Sequence, residues 1–278
     1  MLREEKQHGT IGFPFEIYHN ICKNGLSLYT HYHREFEIVY ITSGTGIVYV
    51  DNECLNVSPG DILFIGSEQL HGIVKGSNDP GSYWAFVFAP EFIGISDVIA
   101  DKYITPVLNK SIQIPTRVNN SNLASYLFQL SALPQDEYYE LKIKYYMIKI
   151  WEILISTSEP YKVSPKIVKL KEIRSAIDYI KLNYPQKITL SQLAKSANMS
   201  KEYFCRQFKE TTGVSPIHYL MQIRIENSCL MLKNTEDEIG QIAMKCGFSS
   251  FSYFSEIFKK IIACTPKEYR KKYLSNDE

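Results

Sequence analysis

LSQLAKSANMSKEYFCRQFKETTGVSPIHYL (residues 190–220) and IGQIAMKCGFSSFSYFSEIFKKIIACTPKEYR (residues 239–270) are two versions of one unit. Leu193-Ala194 aligns with Ile242-Ala243 at an offset of 49, and one extra residue near Ser250 moves the frame to 50. In that frame Tyr203 meets Tyr253, Phe204 meets Phe254, Phe208 meets Phe258, Lys209 meets Lys259, Pro216 meets Pro266 and Tyr219 meets Tyr269. Each unit reads as a short helix, a tight turn at Asn198 or Gly247, and a second helix opened by a serine cap. That is the pattern of a helix-turn-helix.

The paired phenylalanines of each second helix, four residues apart, turn inward and leave a polar outer face. Lys201, Glu202, Cys205, Arg206 and Lys209 occupy that face in the first unit; Ser250, Phe251, Ser252, Ser255, Glu256 and Lys259 occupy it in the second. Such a helix enters the major groove with its N-terminal residues at base edges and its lysines at phosphates. A duplicated helical hairpin without a ligand is the plain alternative. It leaves the polar faces unexplained, and two copies are fewer than the three or so a solenoid needs. Between the units, PIHYLMQIRIENSCLMLKN (216–234) reads as one helix about 27 Å long at 1.5 Å per residue. Its apolar positions are Tyr219, Ile223, Ile225, Leu230 and Leu232. A strut of that length holds two recognition helices near one duplex turn, about 34 Å, apart.

Residues 167–273 resemble the DNA-binding domain of the AraC/XylS family of bacterial transcription regulators. The motif residues are Gly213, Ser215-Pro216, Tyr219-Leu220, Arg224, Ile239, Ile242-Ala243, Gly247-Phe248, Tyr253-Phe254-Ser255, Phe258-Lys259-Lys260, Thr265-Pro266 and Tyr269-Arg270. The resemblance implies base-reading positions at Glu202, Cys205 and Arg206, and at Ser250, Phe251, Ser252, Ser255 and Glu256. Lys201, Tyr203, Lys209 and Lys259 complete the expected DNA-facing set. Glu256 departs from the pattern, standing where the family often has Arg and aligning with Arg206. Phosphates repel a carboxylate, although it can accept from cytosine N4.

Up to about residue 115 the texture changes to short β-runs, FEIVYI, GIVYV, GDILFI and WAFVFA, separated by SGTG, SPGD and SNDPGS. That spacing predicts a β-sandwich or barrel. From residue 119 the period becomes helical, with Leu123, Leu127 and Leu130 before Pro134, then Leu141, Tyr145, Ile148, Trp151 and Ile155. SEPYKVSP (158–165) reads as a linker. A further helix with Ile173, Ile177 and Ile180 on one face stops before Pro185. The expected architecture is therefore α+β and multidomain. It comprises a sensing domain over 1–118, a helical segment over 119–158, a linker over 159–166, and an all-α domain over 167–278 with two helix-turn-helix units.

THYHREFEIVYITSGTG (30–46) places His31, His33 and Glu37 in what reads as a single strand, where equal parity puts them on one face with Val39 and Ile41. Tyr32, Phe36, Ile38 and Tyr40 take the other face, so the strand is expected to be covered on both sides. The wider spacing, Gly25, His31, His33, Glu37 and Gly44, resembles the first motif of the cupin superfamily. Gly60, Gly66 and His71 resemble part of the second, with Gly66 in place of Pro and Glu68 in place of Gly. By that resemblance the metal ligands of cupins map onto His31, His33, Glu37 and His71, a set suited to Mn, Fe, Ni or Zn. The broken second motif resembles sensor cupins instead. The four residues are therefore expected to line a pocket for a small molecule of sugar type, with no metal, no cofactor and no catalysis.

Net charge is +1, but residues 1–163 hold 12 Lys+Arg against 18 Asp+Glu, and residues 164–278 hold 19 against 12. A basic C-terminal third suits a polyanion. The six cysteines are scattered without a C-x-x-C pair, which signals neither a zinc site nor a disulfide framework. No secretory signal and no apolar run of membrane-spanning length is evident, so the expected location is the cytoplasm. The expected protein is a transcription regulator that binds promoter DNA and a small-molecule effector. By resemblance it is an activator that contacts RNA polymerase, and a homodimer through Leu123, Leu127, Leu141, Tyr145, Ile148 and Trp151. That stripe serves equally well as packing against the β-domain. Two other readings stay open: a metal-dependent cupin enzyme fused to a DNA-binding module, and a constitutive DNA-binding dimer.

Overall fold

The computed structural model describes residues 8–10, 12–22, 26, 28–51, 53–75, 79–160 and 167–274. Gly25 of the first cupin motif and residues 161–166 of the expected linker lie outside them. The chain divides at residues 165/166 into two compact units.

In the first unit, eight strands form two antiparallel sheets. They are β1 (Phe15–Cys22), β2 (Leu28–His31), β3 (Phe36–Ser43), β4 (Gly46–Val50), β5 (Glu53–Val57), β6 (Ile62–Ile65), β7 (His71–Lys75) and β8 (Gly81–Phe88). One sheet runs β1-β8-β3-β6 and the other β2-β7-β4-β5. Val39, Ile41, Leu63, Ile65, Ala85 and Val87 of the first sheet pack with Val48, Val50, Val57 and Ile73 of the second. The opposite parity of the first sheet, Phe15, Phe36, Ile38, Ile62, Phe64, Phe86 and Phe88, faces a helical layer. This double covering is why β3 is apolar on both faces, as its alternation predicts.

Residues 90–108 form short helical pieces, α1 (Pro90–Ile93), α2 (Asp97–Ile99), one π turn and α3 (Thr105–Leu108). The sequence reading assigned no helix here, because none of the pieces is long enough to show a period. β9 (Ile112–Gln113) follows, then α4 (Ser121–Ser131), capped by Asn120 accepting from Leu123 N, and α5 (Tyr139–Ser156). β10 (Glu159–Pro160) pairs with β9, so the expected linker begins as ordered backbone.

The stripe proposed for α4 and α5 needs correction. Leu123, Leu127 and Trp151 are buried against the sheet with Ile143, Met147, Ile150 and Leu154, and Trp151 stacks on Phe36 at 5.2 Å between centroids. Leu141, Tyr145 and Ile148 instead point outward, 68%, 55% and 41% exposed. The stripe merged two faces because α5 is apolar on both.

The second unit is all helical: α6 (Ile167–Asn183), α7 (Leu190–Ser196), α8 (Lys201–Thr212), α9 (Pro216–Asn234), α10 (Ile239–Lys245), α11 (Phe251–Ile262) and α12 (Pro266–Leu274). Ile173, Ala176, Ile177 and Ile180 bury one face of α6. α9 is the expected strut, 19 residues long. It buries Tyr219, Ile223, Ile225 and Leu232, but Leu230 is exposed and does not belong to its packed face. No helix among the described residues is long and apolar enough to cross a membrane.

Candidate ligand pocket and nucleic-acid interface

The strand expected to carry His31, His33 and Glu37 is two strands in two sheets. β2 ends at His31, residues 32–35 turn, and β3 begins at Phe36 in the opposite sheet. His31 sits directly across from His71 in the β2–β7 pair, while Glu37 projects from β3 beside Ile65 and Val87. The turn supplies His33. The four residues nonetheless converge, with ligand atoms all within 4.8 Å of one another.

Glu37 is the centre of this cluster. Its Oε2 lies 3.0 Å from Nε2 of His33 and 3.0 Å from Nε2 of His71. On the far side of each ring, Nδ1 faces a backbone carbonyl: Glu35 at 3.2 Å for His33 and Gln69 at 2.9 Å for His71. A carbonyl only accepts, so each Nδ1–H donates there. The Nε2 contact to Glu37 is a hydrogen bond in the form of the ring that also carries a hydrogen on Nε2, whereas the ring with Nδ1–H alone offers a lone pair at Nε2. Burial pushes the Glu37 carboxyl up. The hydrogen bonds and charges of His33 and His71 overturn that and hold it well below the ordinary carboxylate range.

A cavity of about 130 Å³ opens beside the cluster, lined by His31, His33 and Glu37 together with His8, Tyr18, Asn20, Leu28, Tyr83, Ala85 and Val87. His71 belongs to the cluster without lining this cavity. The His8 ring Nδ1 lies 2.9 Å from the Tyr18 hydroxyl, and burial pushes the Tyr83 phenol far up, so it remains neutral. Sequence reading missed Tyr18, Asn20 and Tyr83 because it did not assign β1 and did not separate the faces of β8. The available signal was the even parity of FEIYHNIC, where Glu16, Tyr18 and Asn20 alternate with Phe15, Ile17, His19 and Ile21.

Three imidazoles and one carboxylate within this radius fit a divalent ion of the Mn, Fe, Ni or Zn class. Rings whose Nδ1–H is anchored to a carbonyl are oriented as metal-ligating histidines usually are. The donor set therefore accepts such an ion.

In the second unit, the two expected turns are formed in left-handed backbone, with φ of 50° at Asn198 and 86° at Gly247. Phe204, Phe208, Phe254 and Phe258 are fully buried. Lys201, Glu202, Arg206 and Lys209 are exposed on α8, with Tyr203 and Cys205 half-buried. Ser250 and, on α11, Phe251, Ser252, Glu256 and Lys259 are exposed, with Ser255 half-buried. The Arg206 guanidinium lies 5.4 Å from the Tyr203 ring centroid. The serine caps are unequal. Ser250 Oγ accepts from Tyr253 N, whereas the Ser200 side chain makes no cap bond.

Arg224 braces the framework. Its Nε donates to the Tyr184 carbonyl and its second terminal nitrogen to the Gln186 carbonyl, both at 2.8 Å, tying α9 to the turn that leads into α7.

Residues 17–142 match the family described as AraC-like ligand binding domain, and residues 193–272 match the helix-turn-helix domain. The chain is 26% identical to the uncharacterized HTH-type transcriptional regulator YdeC of Bacillus subtilis, over 97% of this chain and 96% of that protein. It is also 26% identical to the HTH-type transcriptional activator RhaR of Mannheimia succiniciproducens, over 88% of this chain and 87% of that one. Among solved structures, ToxT from Vibrio cholerae aligns with a TM-score of 0.47 and 16% identity, over 92% of this chain and 97% of that chain.

Proposed function

Because the chain belongs to the AraC family of DNA-binding transcription regulators, we propose that it activates a promoter when a compact polar effector, a sugar or sugar derivative, enters the cavity beside Glu37. On this reading His31, His33 and Glu37 contact the effector from the cavity wall, and His71 holds Glu37 in place. Buried imidazole, carboxylate and phenol groups suit an array of hydroxyls. The volume, about 130 Å³, lies below the ~300 Å³ common for drug-sized ligands and favours a single ring or smaller. The naming of RhaR as an activator supports the sign of regulation, and contact with RNA polymerase would be its route.

The observation that carries the DNA half is the repeated outward face. Two helices of one repeat, each anchored by two buried phenylalanines, present Lys201, Glu202, Tyr203, Cys205, Arg206 and Lys209, and Ser250, Phe251, Ser252, Ser255, Glu256 and Lys259. These are read as the contacts to promoter DNA. The outward apolar residues Phe128, Leu141, Tyr145 and Ile148 are read as the homodimer surface. An effector switches such a protein only by binding one of its arrangements better than another.

Gel-shift titration of the purified protein against its own upstream region, at graded salt, tests this. Salt-sensitive preference over random duplex is expected, and its absence overturns the reading. Melting the protein against a monosaccharide panel tests the pocket, since an effector at 100 times its dissociation constant adds about 2.7 kcal/mol. No shift with any sugar, alongside intact DNA binding, would leave the constitutive reading in its place.

The four-donor cluster favours a second reading, in which His31, His33, Glu37 and His71 hold a divalent ion. Such an ion would supply a Lewis-acidic anchor for an effector oxygen. The protein's own residues would orient that oxygen and exclude water. Metal content after purification, compared with His33→Ala, separates the two.

A further inference from the structure

The two DNA-facing helices offer different chemistry at their leading ends. In the frame of the repeat, Lys201 is matched by Phe251, Glu202 by Ser252, Cys205 by Ser255 and Arg206 by Glu256. α8 thus leads with a long cation and carries a guanidinium one turn on. α11 leads with an aromatic ring.

That ring is 53% exposed. Its inner edge approaches Phe254, with centroids 6.3 Å apart and planes inclined at 43°, which limits its wandering without covering it. Around it the polar reach is short. Ser250 Oγ is engaged in the cap with Tyr253 N, and Ser252 and Ser255 carry only a hydroxyl one bond from Cβ. Phe251, Tyr253 and Glu256 are therefore the long exposed side chains over the first turns of α11, and Phe251 alone of the three is wholly apolar. An apolar ring there gains nothing from phosphates. The one apolar feature on a base edge in the major groove of unmodified DNA is the 5-methyl group of thymine.

We propose that Phe251 is a specificity-determining residue that reads thymine methyl groups, so that the half-site under the second unit is selected for thymine. The half-site under the first is read instead by Lys201 and Arg206 through guanine acceptors. This deepens the DNA-binding reading above and rests on it. The division of labour follows from the two surfaces: a guanidinium addresses guanine O6 and N7, while a phenyl ring addresses a methyl.

The test keeps every hydrogen-bonding group of the DNA and removes only the methyl. Duplexes are selected from a random library by the full-length protein. The enriched sequence is then resynthesised with deoxyuridine replacing thymidine one position at a time. One or two positions are expected to weaken wild-type binding about fourfold each, the increment for one buried methyl. In Phe251→Ala the same positions become indifferent to the replacement, in Arg206→Ala they stay sensitive, and Phe251→Leu retains part of the effect. Because Phe251 is exposed, Phe251→Ala should melt with the wild type, which separates lost readout from lost fold. An enriched site without thymine in one half, indifference of the wild type to uracil throughout, or sensitivity surviving in Phe251→Ala each overturns the proposal while leaving DNA binding intact. Failure to enrich any sequence overturns the DNA-binding reading itself, and this inference with it.

Discussion

Glu37 and His71 come from opposite sheets and meet through one 3.0 Å hydrogen bond, His71 Nε2 to Glu37 Oε2. The same oxygen receives His33 Nε2, also at 3.0 Å, so one carboxylate oxygen links both sheets and the turn between β2 and β3. The Glu37 carboxyl is held well below its ordinary range. A folded-state value below the unfolded one, about 4.3, contributes stability that is present above the unfolded value and lost as pH falls through the folded one. Calorimetric melts of the full chain should therefore lose stability below about pH 4.3. Glu37→Gln should melt lower at neutral pH and decline less steeply in acid. Parallel acid slopes for the two proteins would remove Glu37 from the explanation.

The two faces of α5 should respond differently to mutation. Met147 and Trp151 are buried in the sheet-facing core, so Met147→Ala should cost about 2–5 kcal/mol and Trp151→Ala about 3–5 kcal/mol in urea unfolding. Leu141→Asp and Tyr145→Asp alter exposed positions and should leave the urea midpoint within about 0.5 kcal/mol of wild type. If the outer face joins two copies, sedimentation should show these variants shifting toward the monomer. Unchanged association would assign the face elsewhere.

Gly247 and Asn198 occupy equivalent turns but have different tolerances. A Cβ at Gly247 would stand 2.6 Å from the Tyr184 carbonyl oxygen and 2.7 Å from that of Pro185, at a φ of 86°. Gly247→Ala should therefore destabilise the helical unit by about 1–3 kcal/mol. Asn198 adopts its φ of 50° as an asparagine, a residue tolerated there, so Asn198→Gly should change stability by only a few tenths of a kcal/mol. Urea midpoints of the two variants provide the comparison, and equal losses would contradict the steric argument.

What the sequence made legible depended on how local each signal was. The helical half was readable because an internal repeat aligns buried phenylalanines, turn residues and outer faces, and each of those lies within one turn of its neighbours. The sandwich was readable as strands but not as sheets. Parity along THYHREFEIVYI correctly gives β3 two covered faces, yet nothing local says that the chain changes sheets between His31 and Phe36. His31, His33 and Glu37 were found because they crowd into one short run, and His71 joined them because the wider spacing resembles a known motif. Tyr18, Asn20 and Tyr83 were missed because they reach the cavity only through the pairing of β1 with β8 and of β8 with β3. Apolar residues on two faces of α5 likewise hid which of them the sheet would claim.

Arg206 and Glu256 are equivalent in the repeat and opposite in charge, which ranks the two units by their contribution to affinity. On the DNA-binding reading, Arg206 can pair with guanine or a phosphate, and the Tyr203 ring beneath its guanidinium restricts its freedom before DNA arrives. Glu256 is repelled by every phosphate and is favoured only where a cytosine or adenine amine faces it. Arg206→Ala should therefore weaken binding by about 1–3 kcal/mol at low salt and reduce the salt slope by about one. Glu256→Ala should leave affinity near wild type, or raise it, while relaxing preference at one base position. Gel-shift titrations at several salt concentrations measure both. A larger loss from Glu256→Ala than from Arg206→Ala would reverse the ranking and make the second helix the main anchor on DNA.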